Sequence, residues 1–240
     1  MLKKILVMAL LAVLAMGFVF AADEETGLPS TLAEKFSYAF GFYLASTYGP
    51  DSAMQYFYMY KNYYWPELDL DFGSMGVYSY SQGMSLYEVD ELNRILSEYP
   101  ADYEARVQVQ AAENLAVAES FLAENLKSEG IRATESGLQY KVLKQGTGAK
   151  ASAEDSVELD YELKLLDGTV VDSSYARGEH SVFPLTSVIP GFREGVMLMP
   201  MGSHYIFYIH PDLGYGSQAT GSMGPNSLLI FEVETYSISK

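Results

Sequence analysis

Chemistry in this chain could come from a short polar stretch that follows two valines. The segment Asp167–Ser174 reads DGTVVDSS, and its Asp-Gly pair is a strong signal for a turn where a strand reverses. Asp172 comes straight after the valine pair and is followed by two serines. Taken alone, such an aspartate is most simply a turn residue that accepts local backbone N–H groups.

Conventional reaction centres are missing from the sequence. It has no cysteine, which excludes thiol catalysis and thiolate metal sites, and it has no G-x-S-x-G motif. Its three histidines are His180, His204 and His210. The last two share one predicted strand but lie roughly 20 Å apart at strand rise, too far for one metal ion. We therefore expect structural or surface histidines, no metal and no cofactor.

The C-terminal half of the sequence instead offers aromatic and aliphatic residues with few polar partners. That composition is typical of an apolar binding pocket rather than an acid–base site. The glycine-rich segment GYGSQATGSMG, residues 214–224, lacks both G-x-G-x-x-G and a following helix or lysine. It is interpreted as a surface loop that crosses the end of a sheet.

Period-two alternation predicts the sheet that must position these residues. One strand, VELDYELKL, places apolar residues on one face and puts Glu158, Asp160, Glu162 and Lys164 on the other. Residues 204–210 and 228–236 are predicted as further strands, and PGFREGVMLM from Pro190 as one short helix. The predicted fold class is α+β, with a curved antiparallel sheet wrapped around one short helix.

The N-terminal half has a helical pattern from Thr31 to about Glu129. Capping-box sequences begin at Thr31 and at Ser85. Residues 101–129 contain no proline or glycine, which predicts one helix of about 42 Å ending at Gly130. A helix of that length favours a stalk or an intermolecular packing surface.

An unusually aromatic segment, YFYMYKNYYWPELDLDF, occupies residues 56–72. It could form a core or dimer-interface cluster, because tyrosine buries a large area and keeps a polar end. It could also form an adhesive surface for unfolded clients. The first interpretation is favoured because buried aromatics are the norm.

The first residues have the pattern of a secretory signal peptide. Two lysines precede an apolar run that ends at a small-residue cleavage site near Ala21. The alternative is an uncleaved membrane anchor. The formal charge of −16 argues against binding to nucleic acid or to anionic membrane surfaces. With no cysteine for disulfides, these features indicate export to a bacterial periplasm without stable membrane insertion after cleavage.

Several separated motifs resemble the FKBP-type peptidyl-prolyl cis-trans isomerases over about residues 137–238. They are DGTVVDSS, VIPGFREGV, PDLGYG and PNSLLIFEVE, in the order of the family. The helical half resembles two-domain periplasmic FKBP chaperones, a plan shared by the macrophage infectivity potentiator proteins. The resemblance implies a homodimer formed by the N-terminal helices. The expected division is a signal peptide over 1–21, a helical domain over 22–100, a linking helix over 101–130 and an isomerase domain over 131–240.

The resemblance also implies a site for a proline ring. Matching positions give three catalytic residues, namely Asp172, Tyr215 and the backbone N–H of Ile189. They also give a set of pocket and substrate-binding residues: Tyr161, Val171, Arg177, Phe183, Val188, Phe192, Met223 and Phe231. Phe192 replaces the tryptophan that usually forms the pocket floor, and Met223 replaces an aliphatic residue.

Two positions depart from the pattern of the family. Val171 lies where phenylalanine is usual, and Gly224 lies where another residue usually stands beside the proline. The implied function is isomerisation of X–Pro bonds in proline-containing unfolded or partly folded polypeptides, together with chaperone activity. The alternative is a client-binding chaperone module that keeps the fold without efficient catalysis.

Overall fold

A computed structural model describes residues 27–218 and 223–239 of the chain. The predicted signal peptide lies outside these residues, as do positions 219–222 of the glycine-rich loop. The described chain divides into two compact units, with the boundary between Ala105 and Arg106. Among the described helices, none is both long and apolar enough to cross a membrane.

The first unit begins with three helices, α1 (Leu32–Tyr48), α2 (Pro50–Tyr63) and α3 (Leu70–Ser81). The predicted capping box at the start of α1 is confirmed. Thr31 Oγ1 accepts the N–H of Glu34 at 3.2 Å, and the Glu34 carboxylate accepts the N–H of Thr31 at 3.1 Å. These two bonds satisfy backbone donors that an uncapped helix start would leave free.

Glycines allow α1 and α3 to touch backbone to backbone. A Cβ atom on Gly76 would lie 2.0 Å from the carbonyl oxygen of Tyr38, and one on Gly41 would lie 2.1 Å from that of Gly73. Any side chain at either position would push the helices apart. The core that these helices enclose is rich in aromatic rings, including Phe36, Phe40, Phe57, Phe72 and Tyr99.

The aromatic segment supplies both core and surface. Phe57 is fully buried, and the Trp65 ring packs 5.1 Å from that of Phe36. By contrast, Tyr58, Tyr63 and Tyr64 are 49%, 78% and 60% exposed. We refer to these three side chains as the tyrosine surface.

Helix α4 (Val89–Asn125) begins earlier than the sequence predicted and runs through Pro100. The predicted capping box at Ser85 is wrong, because the helix starts four residues later and Ser85 Oγ accepts the N–H of Tyr87 instead. The helix ends before Gly130. Its last turn is held by the buried Gln139 side chain, whose Nε2 donates to the carbonyl of Leu122 at 2.8 Å.

The second unit contains a seven-stranded antiparallel sheet in the order β1-β2-β6-β7-β3-β4, with β5 paired to β3. Its strands are β1 (Ile131–Ala133), β2 (Gln139–Lys144), β3 (Ser156–Lys164), β4 (Val170–Ser173), β5 (Ser181–Pro184), β6 (His204–Ile209) and β7 (Leu229–Ser239). Two helices accompany them, α5 (Ser174–Arg177) and α6 (Pro190–Leu198). The predicted α+β class is confirmed, with α6 as the helix whose apolar side packs on the sheet.

One residue of the predicted solvent face is buried. Alternation along β3 correctly places Val157, Leu159, Tyr161 and Leu163 in the core, but Asp160 is only 7% exposed. The one-turn helix α5 covers that part of the outer face, and its first residue, Ser174, hydrogen-bonds the Asp160 carboxylate at 2.8 Å. A polar partner thus allows a charge to be buried.

Candidate functional site

Four aromatic side chains from four elements meet between α6 and the sheet. Tyr161 of β3 lies 5.5 Å from Phe183 of β5 and 6.2 Å from Phe231 of β7, measured between ring centroids. Phe192 of α6 lies 4.8 Å from Phe231 and 6.1 Å from Phe183. Phe183 is only partly buried, so the group borders solvent on that side. The structure thus brings together the predicted aromatic lining.

Val171 occupies a β-bulge. In the pairing of β3 with β4, Lys164 opposes Val170 and Leu163 opposes Asp172, which leaves Val171 as the extra residue. Regular alternation would send the side chains of Val171 and Asp172 to opposite faces. Instead, Val171 packs against the core cluster that contains Tyr161, and Asp172 contacts the Tyr161 hydroxyl. The bulge therefore explains why a carboxylate directly follows an apolar residue on the same side of the sheet.

The Asp172 carboxylate is engaged by three donors. The Tyr161 hydroxyl and a guanidinium nitrogen of Arg177 donate to it, and so does the backbone N–H of Ser173 at 2.8 Å. Arg177 also donates to the Tyr161 hydroxyl at 3.3 Å and to Ser181 at 3.1 Å. These contacts hold the Tyr161 ring within the aromatic group by its polar end.

The electrostatics of this trio follow from those contacts. Burial of Asp172 raises the pKa of its carboxyl, but the hydrogen bonds from Tyr161 and Arg177 outweigh that effect and hold the pKa below its usual range. Burial, and then the bond to Asp172, raises the pKa of the Tyr161 hydroxyl. At neutral pH the site therefore holds an ionised carboxylate paired with Arg177 and a neutral phenol.

Val188 and Ile189 lie side by side at the entrance to α6. Both are partly buried, and Pro190 begins the helix at the next residue. Within residues 27–218 and 223–239, the N–H of Ile189 donates to no acceptor, although its carbonyl accepts from Arg193 at 3.1 Å. This leaves a backbone donor beside the aromatic group that a bound peptide can use.

Tyr215 and Met223 lie on the loop that follows β6. Tyr215 is 42% exposed, whereas Met223 is 7% exposed and belongs to the core cluster with Tyr161 and Phe231. Among the described residues, the Tyr215 hydroxyl has no hydrogen-bond partner. All eleven predicted site residues thus lie in the second unit. Ten of them contact one another or the core cluster that contains the four rings, whereas Tyr215 is located only on the loop after β6.

Comparison with known proteins decides the family. Residues 147–236 match the family described as FKBP-type peptidyl-prolyl cis-trans isomerase, and residues 33–142 match the domain amino terminal to it. The outer membrane protein MIP of Legionella longbeachae is 34% identical over 244 residues, which cover 99% of each chain. The chain belongs to the FKBP-type peptidyl-prolyl cis-trans isomerases. The predicted family is thereby confirmed.

Two further relatives resemble parts of this FKBP-type chain. The isomerase FkpA of Aeromonas hydrophila is 46% identical over 155 residues, which are 63% of this chain but only 58% of that protein. The crystal structure of FkpA from Escherichia coli has a TM-score of 0.60 at 28% identity and covers 81% of this chain and 95% of that one. The second comparison supports the fold in both units.

A polar network behind the FKBP-type site was not foreseen from the sequence. Ser174 Oγ accepts the N–H of Tyr161 at 2.9 Å and donates to Asp160 at 2.8 Å. The second Asp160 oxygen hydrogen-bonds His180 Nδ1 at 2.9 Å and the Tyr236 hydroxyl at 2.8 Å. Burial raises the pKa of Asp160, but these bonds outweigh it and lower that pKa. The signal in the sequence was the polar pair after Asp172, whose second serine reaches back to β3.

The other histidines serve local structure. His204 Nε2 lies 2.8 Å from a carboxylate oxygen of Glu232 on the neighbouring strand, and His210 Nδ1 accepts the N–H of Asp212 at 3.2 Å. In the part of the chain that the structure describes, no three metal-binding side chains cluster.

Proposed function

We propose that this chain accelerates rotation about X–Pro bonds in polypeptides, through the pocket formed by Tyr161, Phe183, Phe192 and Phe231. The observation that carries this proposal is the group of four aromatic rings. At its edge the Tyr161 hydroxyl is held by Asp172 and Arg177, and the backbone N–H of Ile189 has no acceptor among the described residues. Resonance gives the prolyl bond a barrier of about 18–20 kcal/mol. Water stabilises the planar, charge-separated amide, so a dry pocket favours the twisted transition state in which that resonance is lost.

Each predicted residue has a role in this proposal. The N–H of Ile189 and the hydroxyl of Tyr215 bind carbonyl groups of the substrate, because both donors are free of protein partners among the described residues. Asp172 orients Tyr161 and Arg177, since its carboxylate already accepts from both. Val171, Val188 and Met223 contribute apolar contact around the ring. The reaction proposed here calls for no metal or cofactor.

A protease-coupled assay on a proline-containing peptide tests the enzyme proposal. The full-length chain is compared with a Tyr215→Phe, Asp172→Val double variant, which lacks the proposed carbonyl donor and the anchor of Tyr161. We expect the double variant to lose most of the kcat/KM. A matched control is Val182→Ser, because Val182 lies on β5 next to Phe183 and is 59% exposed. Equal rates for the wild type and the double variant would refute catalysis by this site.

A chaperone activity is proposed from the tyrosine surface defined above. Exposed tyrosines offer apolar rings with polar ends, which suits binding to unfolded chains of varied sequence. Suppression of aggregation of a client that folds independently of proline measures this activity without isomerisation. A client-binding module without catalysis remains the alternative, and it predicts suppression by a protein that fails the peptide assay.

A homodimer through the N-terminal helices and export to a periplasm are also proposed. Support comes from the match to the amino-terminal domain and from the relative named as an outer membrane protein. Sedimentation of the full chain is compared with that of a Tyr63→Ser, Tyr64→Ser variant. If the tyrosine surface is the dimer interface, the variant sediments as a monomer. If it is a client surface, the variant stays dimeric and loses aggregation suppression.

Mass spectrometry of the exported protein tests removal of the predicted signal peptide, residues 1–21.

A further inference from the structure

The loop between β6 and β7 has two limbs, of which the returning one reaches the core cluster of the proposed pocket through Met223. We call its described residues, 214–218 and 223–228, the site loop. Its outgoing limb carries Tyr215 and its returning limb carries Met223. The N–H of Asn226 donates to the carbonyl of Gly216 at 2.8 Å, which ties the limbs together one residue from Tyr215. This bond links the returning limb to the residue that follows Tyr215.

The returning limb is also fastened to the last turns of α4, within the same compact unit. Asn114 Nδ2 donates to the carbonyl of Pro225 at 2.7 Å, and Asn226 Nδ2 donates to the carbonyl of Ala111 at 3.0 Å. Each amide thus donates to a backbone carbonyl of the segment that carries the other asparagine. An apolar contact continues the attachment, because Leu228 is 3% exposed and clusters with helix residues Ala118 and Leu122.

The local backbone of the site loop is shaped for this attachment. Asn226 adopts a φ of 51°, in the left-handed region that few residues other than glycine and asparagine accept. A Cβ atom on Gly224 would lie 3.1 Å from the Asn114 amide nitrogen and 3.5 Å from that of Gln110. Gly224, which departs from the family pattern, thus lies where side chains of the helix approach the loop.

We propose that Asn114 and Asn226 are positioning residues for the isomerase reaction, which act by holding the site loop on α4. Neither side chain is placed in the pocket; both act through Tyr215 and Met223. A loop fastened before the substrate arrives does not have to be ordered when it binds, so less binding free energy is lost. This inference rests on the proposed isomerase function.

The test uses the full-length protein with two single variants. Asn114→Ala removes one donor, and Asn226→Gly removes the other while keeping a residue that accepts a positive φ. We expect each to lower kcat/KM for a proline peptide about fivefold, the equivalent of one hydrogen bond of about 1 kcal/mol. The loss should appear mainly as a higher KM, because in the variants the loosened loop has to become ordered when the substrate binds. The double variant should lose less than the product of the two effects, since both bonds hold one limb.

A matched control separates this effect from general loosening of the helix. Asn125 on the same helix donates its amide to the Gln139 side chain at 2.9 Å, away from the site loop. Asn125→Ala should leave kcat/KM unchanged. Hydrogen exchange of the backbone N–H at position 226 should quicken in Asn114→Ala but not in Asn125→Ala.

The outcomes distinguish this inference from the function on which it rests. A wild-type protein without isomerase activity refutes the proposed function. An active wild type with Asn114→Ala and Asn226→Gly at wild-type kcat/KM refutes the positioning role alone. An equal loss in Asn125→Ala also refutes it, because helix attachment in general would then be the cause.

Discussion

Replacing Val171 by phenylalanine should raise isomerase activity. Val171 is the unpaired residue of the bulge in β4, and it is only partly buried where it packs against the core cluster containing Tyr161. A larger side chain there can extend along the edge of the pocket instead of entering the close-packed core. The substitution therefore adds contact with a bound proline without overpacking the fold.

The magnitude follows from the added apolar area. If a phenylalanine ring adds about 40–80 Å² of contact with the substrate, the gain is about 1–2 kcal/mol at roughly 25 cal/mol per Å². If the contact persists in the transition state, kcat/KM rises by about five- to thirtyfold. The assay is the protease-coupled reaction at substrate concentrations far below KM, where the rate reports kcat/KM directly.

Val170→Phe supplies the matched control for this prediction. Val170 precedes Val171 on the same strand, opposes Lys164 and is 50% exposed, so its side chain lies on the outer face. We expect the control to leave kcat/KM unchanged. If Val171→Phe folds with an unaltered Tm and gives the wild-type kcat/KM, the missing ring does not limit this pocket and the reasoning is wrong.

Three further predictions follow from the same contacts. Asp172→Asn should lower kcat/KM about tenfold, because it weakens charged hydrogen bonds that orient Tyr161; the peptide assay measures this. The lowered pKa values of Asp172 and Asp160 stabilise the fold above their unfolded pKa of about 4, and this contribution is lost as pH falls through the lower folded values. These two carboxylates should therefore leave the free energy of unfolding unchanged between about pH 5 and 8 and should lower it steeply below about pH 4. The Asp160→Asn variant should show a smaller decrease below about pH 4. Gly76→Ala should destabilise the first unit by about 2–3 kcal/mol, because its Cβ would lie 2.0 Å from a carbonyl oxygen, without changing kcat/KM; thermal unfolding and the peptide assay together check this.

Local patterns in the sequence were sufficient for β3, β6, β7 and α6 of the second unit, whereas β1, β2, β5 and α5 were not predicted. Alternation along β3 and the Pro-Gly start of α6 depend on contacts between near neighbours, so both elements were predicted close to their observed bounds. The start of helix α4 was harder to predict, because a proline such as Pro100 usually breaks a helix and the motif at Ser85 usually starts one. The helix instead starts at Val89 and carries Leu92, Ile95 and Tyr99 into the core of the first unit. Tertiary packing there overrides both local signals.

The residue types that line the proposed pocket were predictable from the sequence, but the hydrogen-bond networks that hold them in place were not. The aromatic lining followed from the family resemblance in motif order, and Tyr161, Phe192 and Phe231 lie on elements that the sequence also predicted. Phe183 lies on a strand that it did not predict. The network of Ser174, Asp160, His180 and Tyr236 joins residues up to 76 positions apart, and no local pattern indicates such pairing. The same holds for Asn114 and Asn226, whose partners lie more than a hundred residues away.

The bulge at Val171 shows why one position can depart from a family pattern while the fold persists. In a regular strand, two adjacent residues would face opposite sides, and a change at Val171 would alter either the core or the outer surface. With the extra residue, Val171 packs against the core cluster that contains Tyr161 while Asp172 contacts the Tyr161 hydroxyl, so both lie on the same side of the sheet. The ladder bonds on either side belong to Val170 and Asp172. A change of size at Val171 therefore acts on the substrate more than on the stability of the sheet, and catalysis can be tuned there separately from folding.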